Sequence, residues 1–76
     1  MNGLEKIQKD IAQQLRVEMA KQELKDAKLA RQSKLARPTI TMLRNGSQLP
    51  SVETLCKVAN GLNKKLSIKF EELPAN

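Results

Sequence analysis

The stretch from Leu29 to Gly46 constrains this chain more than any other, because it sets two short runs of helix-compatible residues on either side of a very short connection. Lys34-Leu35-Ala36 is too short to be a free loop, and Leu35, a large apolar residue next to Lys34, pins a tight turn to a core. Pro38 marks the start of the second run. Proline is tolerated in a first helical turn, where its missing N–H has no partner to lose, so a helix from about Arg37 to Asn45 follows, with Gly46 ending it. In that helix Ile40 and Leu43 face inward and Arg37, Pro38, Thr41 and Met42 face out.

The whole chain has 76 residues, enough for one small domain with little apolar surface to bury, so the fold must be simple or completed by a partner. Lys and Arg total 14 against 8 Asp and Glu, a net charge of +6 with a pI near 9.8, and a surplus of that size on so small a body favours a polyanionic partner. No apolar run approaches the roughly 18 residues of a spanning helix, and Met1 to Lys6 lacks the apolar segment of a signal peptide, so a soluble, cytoplasmic protein with no membrane partner is expected. With no histidine and a single cysteine, Cys56, there is no basis for an internal disulfide, a metal constellation or imidazole chemistry. Neither an enzyme nor a cofactor is expected. Phe70 is the only aromatic residue, which disfavours single-strand binders that stack bases on successive rings and leaves duplex DNA as the better fit.

Around the central stretch, Leu4 to about Gln22 carries Leu4, Ile7, Ile11, Leu15 and Met19 at three- and four-residue steps among strong helix formers. This predicts a long amphipathic helix in which Leu15 and Met19 pack into the core and Leu4 and Ile7 are available to a second chain. Leu24-Lys25-Asp26 reads as a boundary, with Asp26 either capping the next helix or sitting in its first turn, and that helix runs through Ser33. Ser47 to Pro50 is a loop, and Ser51 can cap a fourth helix whose Val52, Leu55, Val58, Ala59 and Leu62 make one apolar stripe, with Asn63 as a left-handed terminator. Cys56 is expected to pack there as a small apolar residue. Leu66, Ile68 and Phe70 then alternate with Lys65, Ser67 and Lys69, a two-residue rhythm that predicts a short strand. The organisation expected is therefore one domain: a long N-terminal helix over 1–23, a core over 24–63, and a C-terminal strand and tail over 64–76.

Over Leu24 to Leu62 the chain resembles the Cro/CI-type (XRE-like) helix-turn-helix family, which includes phage repressors, small bacterial regulators and the antitoxins of several toxin-antitoxin operons. The residues that carry the likeness are Leu29-Ala30, Leu35, Arg37, Thr39-Ile40, Leu43, Asn45-Gly46, Pro50-Ser51, Glu53-Thr54-Leu55 and Lys57-Val58-Ala59, in matching order and spacing. The resemblance implies a mainly α fold, a lambda-repressor-like bundle of four helices, that binds palindromic operator DNA as a two-fold homodimer with the helix starting near Arg37 in the major groove. By position, Arg37, Pro38, Thr41 and Met42 fall where the family reads bases. Arg37 can contact guanine O6 and N7 bidentately, Pro38 and Met42 offer only apolar contact, and Thr41 can do either. Phosphate contacts are expected from Lys34, Thr39, Asn45 and Ser47, with Arg44 as a further candidate. Between Lys21 and Arg44 there are seven basic and two acidic residues, so the charge surplus concentrates on this stretch, although Lys21, Lys25 and Lys28 are read as a solvated face.

Three departures from the family pattern stand out. Lys34 replaces the usual turn glycine, and keeping the turn costs about 1 kcal/mol of left-handed strain. Asp26 stands where glutamine commonly touches a phosphate, and since a carboxylate there repels the phosphate backbone unless consumed as a cap, Asp26 is left out of the DNA site. Met19 and Arg44 stand where the family often pairs arginine with glutamate, which leaves Arg44 free on this reading. The strand resembles the tail of HipB-type and related addiction-module antitoxins, where two copies pair across a dimer axis and would bury Leu66, Ile68 and Phe70. A transcriptional repressor is the first expectation; an antitoxin that binds a protein toxin and represses its own operon is the alternative.

Overall fold

The structure, a computed structural model, describes residues 3–74. Four helices follow one another: α1 (Gly3–Gln22), α2 (Asp26–Ser33), α3 (Arg37–Asn45) and α4 (Val52–Gly61). The α2–α3 and α4 boundaries agree with the sequence reading. Packing is local: α2 lies against both α3 and α4, and α1 crosses α3.

The core is a single cluster in which α1 supplies Leu15 and Met19, α2 supplies Leu29 and Ala30, α3 supplies Ile40 and Leu43, and Val58 and Leu62 close it from α4 and its end. Leu24 and Leu35, the apolar residues of the two tight connections, pack against it. Leu29 and Ile40 are fully enclosed, so the two helices of the central motif are held by the deepest side chains in the molecule. The long helix divides as expected, since Leu4 and Ile7 remain exposed while Leu15 and Met19 are buried.

All four helices end by one device. Glu23, Lys34, Gly46 and Asn63 take left-handed conformations, and the residue after each returns its N–H to a carbonyl five positions back: Leu24 to Met19, Leu35 to Ala30, Ser47 to Met42 and Lys64 to Ala59. These are Schellman closures, which satisfy carbonyls that would otherwise lack partners. Only one of the four uses glycine. Lys34 (φ 58°, ψ 42°) therefore keeps the family's turn with a side chain that resists it, as the sequence predicted. At the other ends, Ser51 caps α4 by accepting from the Thr54 N–H at 3.1 Å, and α3 begins on an extended Ala36 with Pro38 in its first turn.

Two expectations, at Val52 and Cys56, need correction. Val52 is 58% exposed, because as the first residue of α4 it lies ahead of the turn that meets α2. Cys56 is exposed and does not fill the core. Of the two places open to Asp26 the structure shows the first-turn one: it is the first residue of α2, Lys25 precedes it with no side-chain cap, and the carboxylate is used elsewhere. Among the described residues no strand forms after α4: Leu66 is half-buried, beside a shallow cleft that includes Cys56 and Asn60, whereas Ile68, Phe70 and Leu73 are exposed. A lone extended segment has no ladder partner within its own chain, so the two-residue pattern alone cannot make it a strand.

Candidate nucleic-acid interface

α3 is built to present one face outward. Its inner side chains, Ile40 and Leu43, are buried, and on the opposite side Arg37, Pro38 and Met42 are exposed. Residues four apart on a helix are neighbours, so Arg37 with Thr41 and Pro38 with Met42 form two adjacent pairs on this face. Lys34, in its left-handed turn, is exposed just before the helix, and Asn45 and Ser47 are exposed at its far end. Thr39 is half-buried. The Ser47 hydroxyl donates to the Met42 carbonyl at 3.2 Å, which ties the loop after α3 back to the helix.

The centre of the electrostatics is Asp26. Its carboxylate accepts from Arg44 Nε at 2.9 Å and Nη2 at 3.0 Å, and from the Thr41 hydroxyl at 2.6 Å. The expectation that Arg44 is free is thus corrected: a bidentate pair with Asp26 joins the end of α3 to the start of α2. Arginine's planar fork suits such a contact. The Arg44 hydrogen bonds hold the Asp26 carboxyl below its ordinary range; partial burial opposes this, and the Thr41 hydroxyl and the nearby charges of Arg44 and Arg37 add to the lowering. Arg44 is correspondingly raised by its bonds to Asp26. The ion pair missing at the usual family positions is replaced by one of opposite polarity, with its acid on α2 and its base on α3.

Around Asp26 an open cleft between α1, α2 and α3 brings Arg16, Lys25, Arg37 and Arg44 together. Four cations against one carboxylate leave it positive, so the repulsion expected between Asp26 and a phosphate backbone is offset. Arg16 carried no role in the sequence reading, yet its Nη1 donates to the Arg44 carbonyl at 2.6 Å while Nη2 is held by Gln13 at 2.9 Å. A cation at a helix C-terminus satisfies a spare carbonyl and suits the dipole. Gln8 donates likewise to the Gly46 carbonyl at 2.7 Å, and Gln22 to the Leu62 carbonyl at 2.9 Å. The polar side chains of α1 therefore fasten the ends of α3 and α4. No sequence signal distinguished them from solvated residues, because the contacts span 28 to 40 positions.

A model of the helix-turn-helix family matches residues 13–69, from mid-α1 through α4 and into the tail. The chain belongs to the helix-turn-helix family of the Cro/CI (XRE) type. Comparison with curated proteins and with solved structures finds no match. As a family member it is a DNA-binding transcription regulator. The family match includes α2, the Lys34 turn and α3 complete. Among the described residues no helix is long and apolar enough to cross a membrane, and no three potential metal ligands cluster.

Proposed function

We propose that the protein is a homodimeric repressor that binds a palindromic operator in duplex DNA and acts by occupying it. The observation that carries this reading is the outward face of α3, where Arg37, Pro38 and Met42 are exposed above a rigidly buried Ile40 and Leu43. Arg37 is the strong base reader, bidentate to guanine, with Pro38 and Met42 in apolar contact and Thr41 in a polar one. Lys34, Thr39, Asn45 and Ser47 hold phosphates and fix register, and Arg44 contributes from within its pair with Asp26. Dimerisation is supported by the apolar side chains left uncovered in a single copy: Ile68 is 64% exposed, and Phe70 and Leu73 more so. Leu66, Ile68 and Phe70 form a strand in the dimer, each copy supplying the other's ladder partner. The protein works in the cytoplasm, on the nucleoid.

The test is selection from random duplexes at fixed salt, which should enrich a palindrome with half-sites about one helical turn apart. Arg37→Ala should then relax preference at one base pair per half-site with a loss of about 1–3 kcal/mol, while Lys34→Ala weakens all duplexes alike. Failure to enrich any sequence, or an Arg37→Ala variant with unchanged affinity and preference, overturns the reading. The exposed Ile68, Phe70 and Leu73 also favour a second reading, in which a toxin covers the tail and the protein is an antitoxin that represses its own operon. Co-purification of a toxic partner encoded beside it would decide for that reading.

A further inference from the structure

Thr41 can meet a base as donor or as acceptor, and the geometry around it removes that freedom. Its Oγ1 lies 2.6 Å from Asp26 Oδ2 and 3.2 Å from the Arg37 carbonyl. A hydroxyl has one proton, and a separation of 2.6 Å is that of a charge-assisted O–H···O⁻ bond. Asp26 cannot supply the proton, since the paired guanidinium of Arg44 keeps it ionised. The Thr41 proton is therefore spent on Asp26, and what remains for DNA is a lone pair and a methyl group.

We infer that Asp26 is a specificity-positioning residue that fixes Thr41 as a hydrogen-bond acceptor, so that the base facing Thr41 must present a donor. This rests on the proposed reading of α3 in the major groove. The donors in that groove are adenine N6 and cytosine N4, whereas guanine and thymine offer only acceptors or a methyl group to the same atom. Asp26 itself touches no base. It acts through Thr41, from α2, and its bridge to Arg44 prevents the carboxylate from turning away.

Asp26→Asn removes this constraint. Arg44 Nε can only donate, so it keeps the amide oxygen, and the amide N–H₂ takes the place of Oδ2, where it donates to Thr41 Oγ1 and displaces Arg44 Nη2 toward solvent. The Thr41 proton then turns to the Arg37 carbonyl, 3.2 Å away, or outward to a base acceptor, so Thr41 is no longer fixed as an acceptor alone. The experiment compares the duplex preferences of the wild-type protein, Asp26→Asn, Thr41→Val and Thr41→Ser by selection at one salt concentration. In the wild type, adenine or cytosine should be enriched at the base facing Thr41. Asp26→Asn should reduce the adenine and cytosine enrichment at that position alone by about tenfold, the effect of one hydrogen bond, as the hydroxyl gains the freedom to donate, with the Arg37 position unchanged. Thr41→Val should flatten the preference there, and Thr41→Ser, which keeps the hydroxyl, should retain it. Thr41→Val also tests the idea if Asp26→Asn does not fold. A wild-type palindrome whose preferences survive both Asp26→Asn and Thr41→Val would overturn this role for Asp26 while leaving the operator reading intact. An equal loss of affinity on all sequences would make Asp26 merely structural. No enriched sequence at all would overturn both.

Discussion

The close approach of α2 and α4 at Gly61 makes a sharp stability test. Gly61, in the last turn of α4, is buried, and a methyl group there would run into Ser33 Oγ while lying 3.0 Å from the Ser33 backbone nitrogen and 3.1 Å from Leu29 Cδ1. Ser33 is 2% exposed, and its hydroxyl has no hydrogen-bond partner. Rotating the Ser33 side chain cannot relieve Gly61→Ala, because the backbone nitrogen stays close, so the helices must separate. Overpacking of this kind costs about 1–3 kcal/mol, offset by a gain of up to about 1 kcal/mol from replacing a helical glycine by alanine. A net loss of about 1–2 kcal/mol is a large share of a stability of about 4–11 kcal/mol for a domain of this length. Ser33→Ala should act in the opposite sense, since removing an unsatisfied buried hydroxyl returns about 1–3 kcal/mol less any cavity left behind. Urea unfolding of the wild type, both single variants and the double variant gives a cycle, and the double should recover part of the Gly61→Ala loss because the nearest obstructing atom is gone. A Gly61→Ala variant as stable as the wild type would refute the close approach of α2 and α4. A Ser33→Ala variant destabilised beyond about 1 kcal/mol would show that the hydroxyl is satisfied.

Three further outcomes are expected. Lys34→Gly relieves left-handed strain at the cost of unfolded-state entropy and should raise stability by up to about 1 kcal/mol in thermal unfolding, while weakening DNA binding on every sequence. Asp26, whose carboxyl is lowered in the folded state, stabilises the fold fully above its unfolded value near 3.9 and loses that contribution as the pH falls through its folded value; the gap in melting temperature between wild type and Asp26→Asn should therefore be constant near neutrality and close below about pH 4. Ser51→Ala removes the α4 cap and should cost about 1 kcal/mol in the same unfolding assay, with DNA preference unchanged.

What the sequence made legible was whatever local chemistry decides. The α2–turn–α3 outline followed from Leu35, Pro38 and Gly46, and the cap of α4 from Ser51, because each signal acts within four residues of itself. The left-handed Lys34 was visible only as a conflict between a turn that wants glycine and a residue that is not glycine. Long-range polar pairing was not legible. Asp26 and Arg44 lie 18 positions apart, and Arg16 and Arg44 lie 28 apart, so neither periodicity nor composition joins them. The apolar stripe on α4 also promised more than it delivered, since periodicity places Val52 on the right face but not whether another helix reaches that far. The C-terminal alternation is a third case: a strand pattern names a partner it needs, and nothing within one chain supplies it.

These long-range contacts bear on how α3 would work as the proposed reading helix. In isolation α3 is nine residues, too short to hold itself in water, and its apolar face accounts for only two buried anchors. The rest of its rigidity comes from its ends. At the C-terminus Arg16 and Gln8 of α1 take the Arg44 and Gly46 carbonyls, and in the middle Asp26 of α2 holds both Thr41 and Arg44. On the proposed reading, a helix fixed at several points cannot slide or tilt to accommodate a wrong base without breaking one of them, so a mismatch would cost strain across three helices as well as a lost contact. The same anchoring leaves Arg37 as the exposed cation at the start of α3, beside a cleft in which Arg16 and Arg44 are held by protein oxygens and Lys25 is exposed. Arg37→Lys should therefore be costly even though charge is kept, because a flexible ammonium cannot reproduce the bidentate geometry. A Lys variant with wild-type base preference would mean that α3 contributes charge alone and that its rigid mounting serves stability.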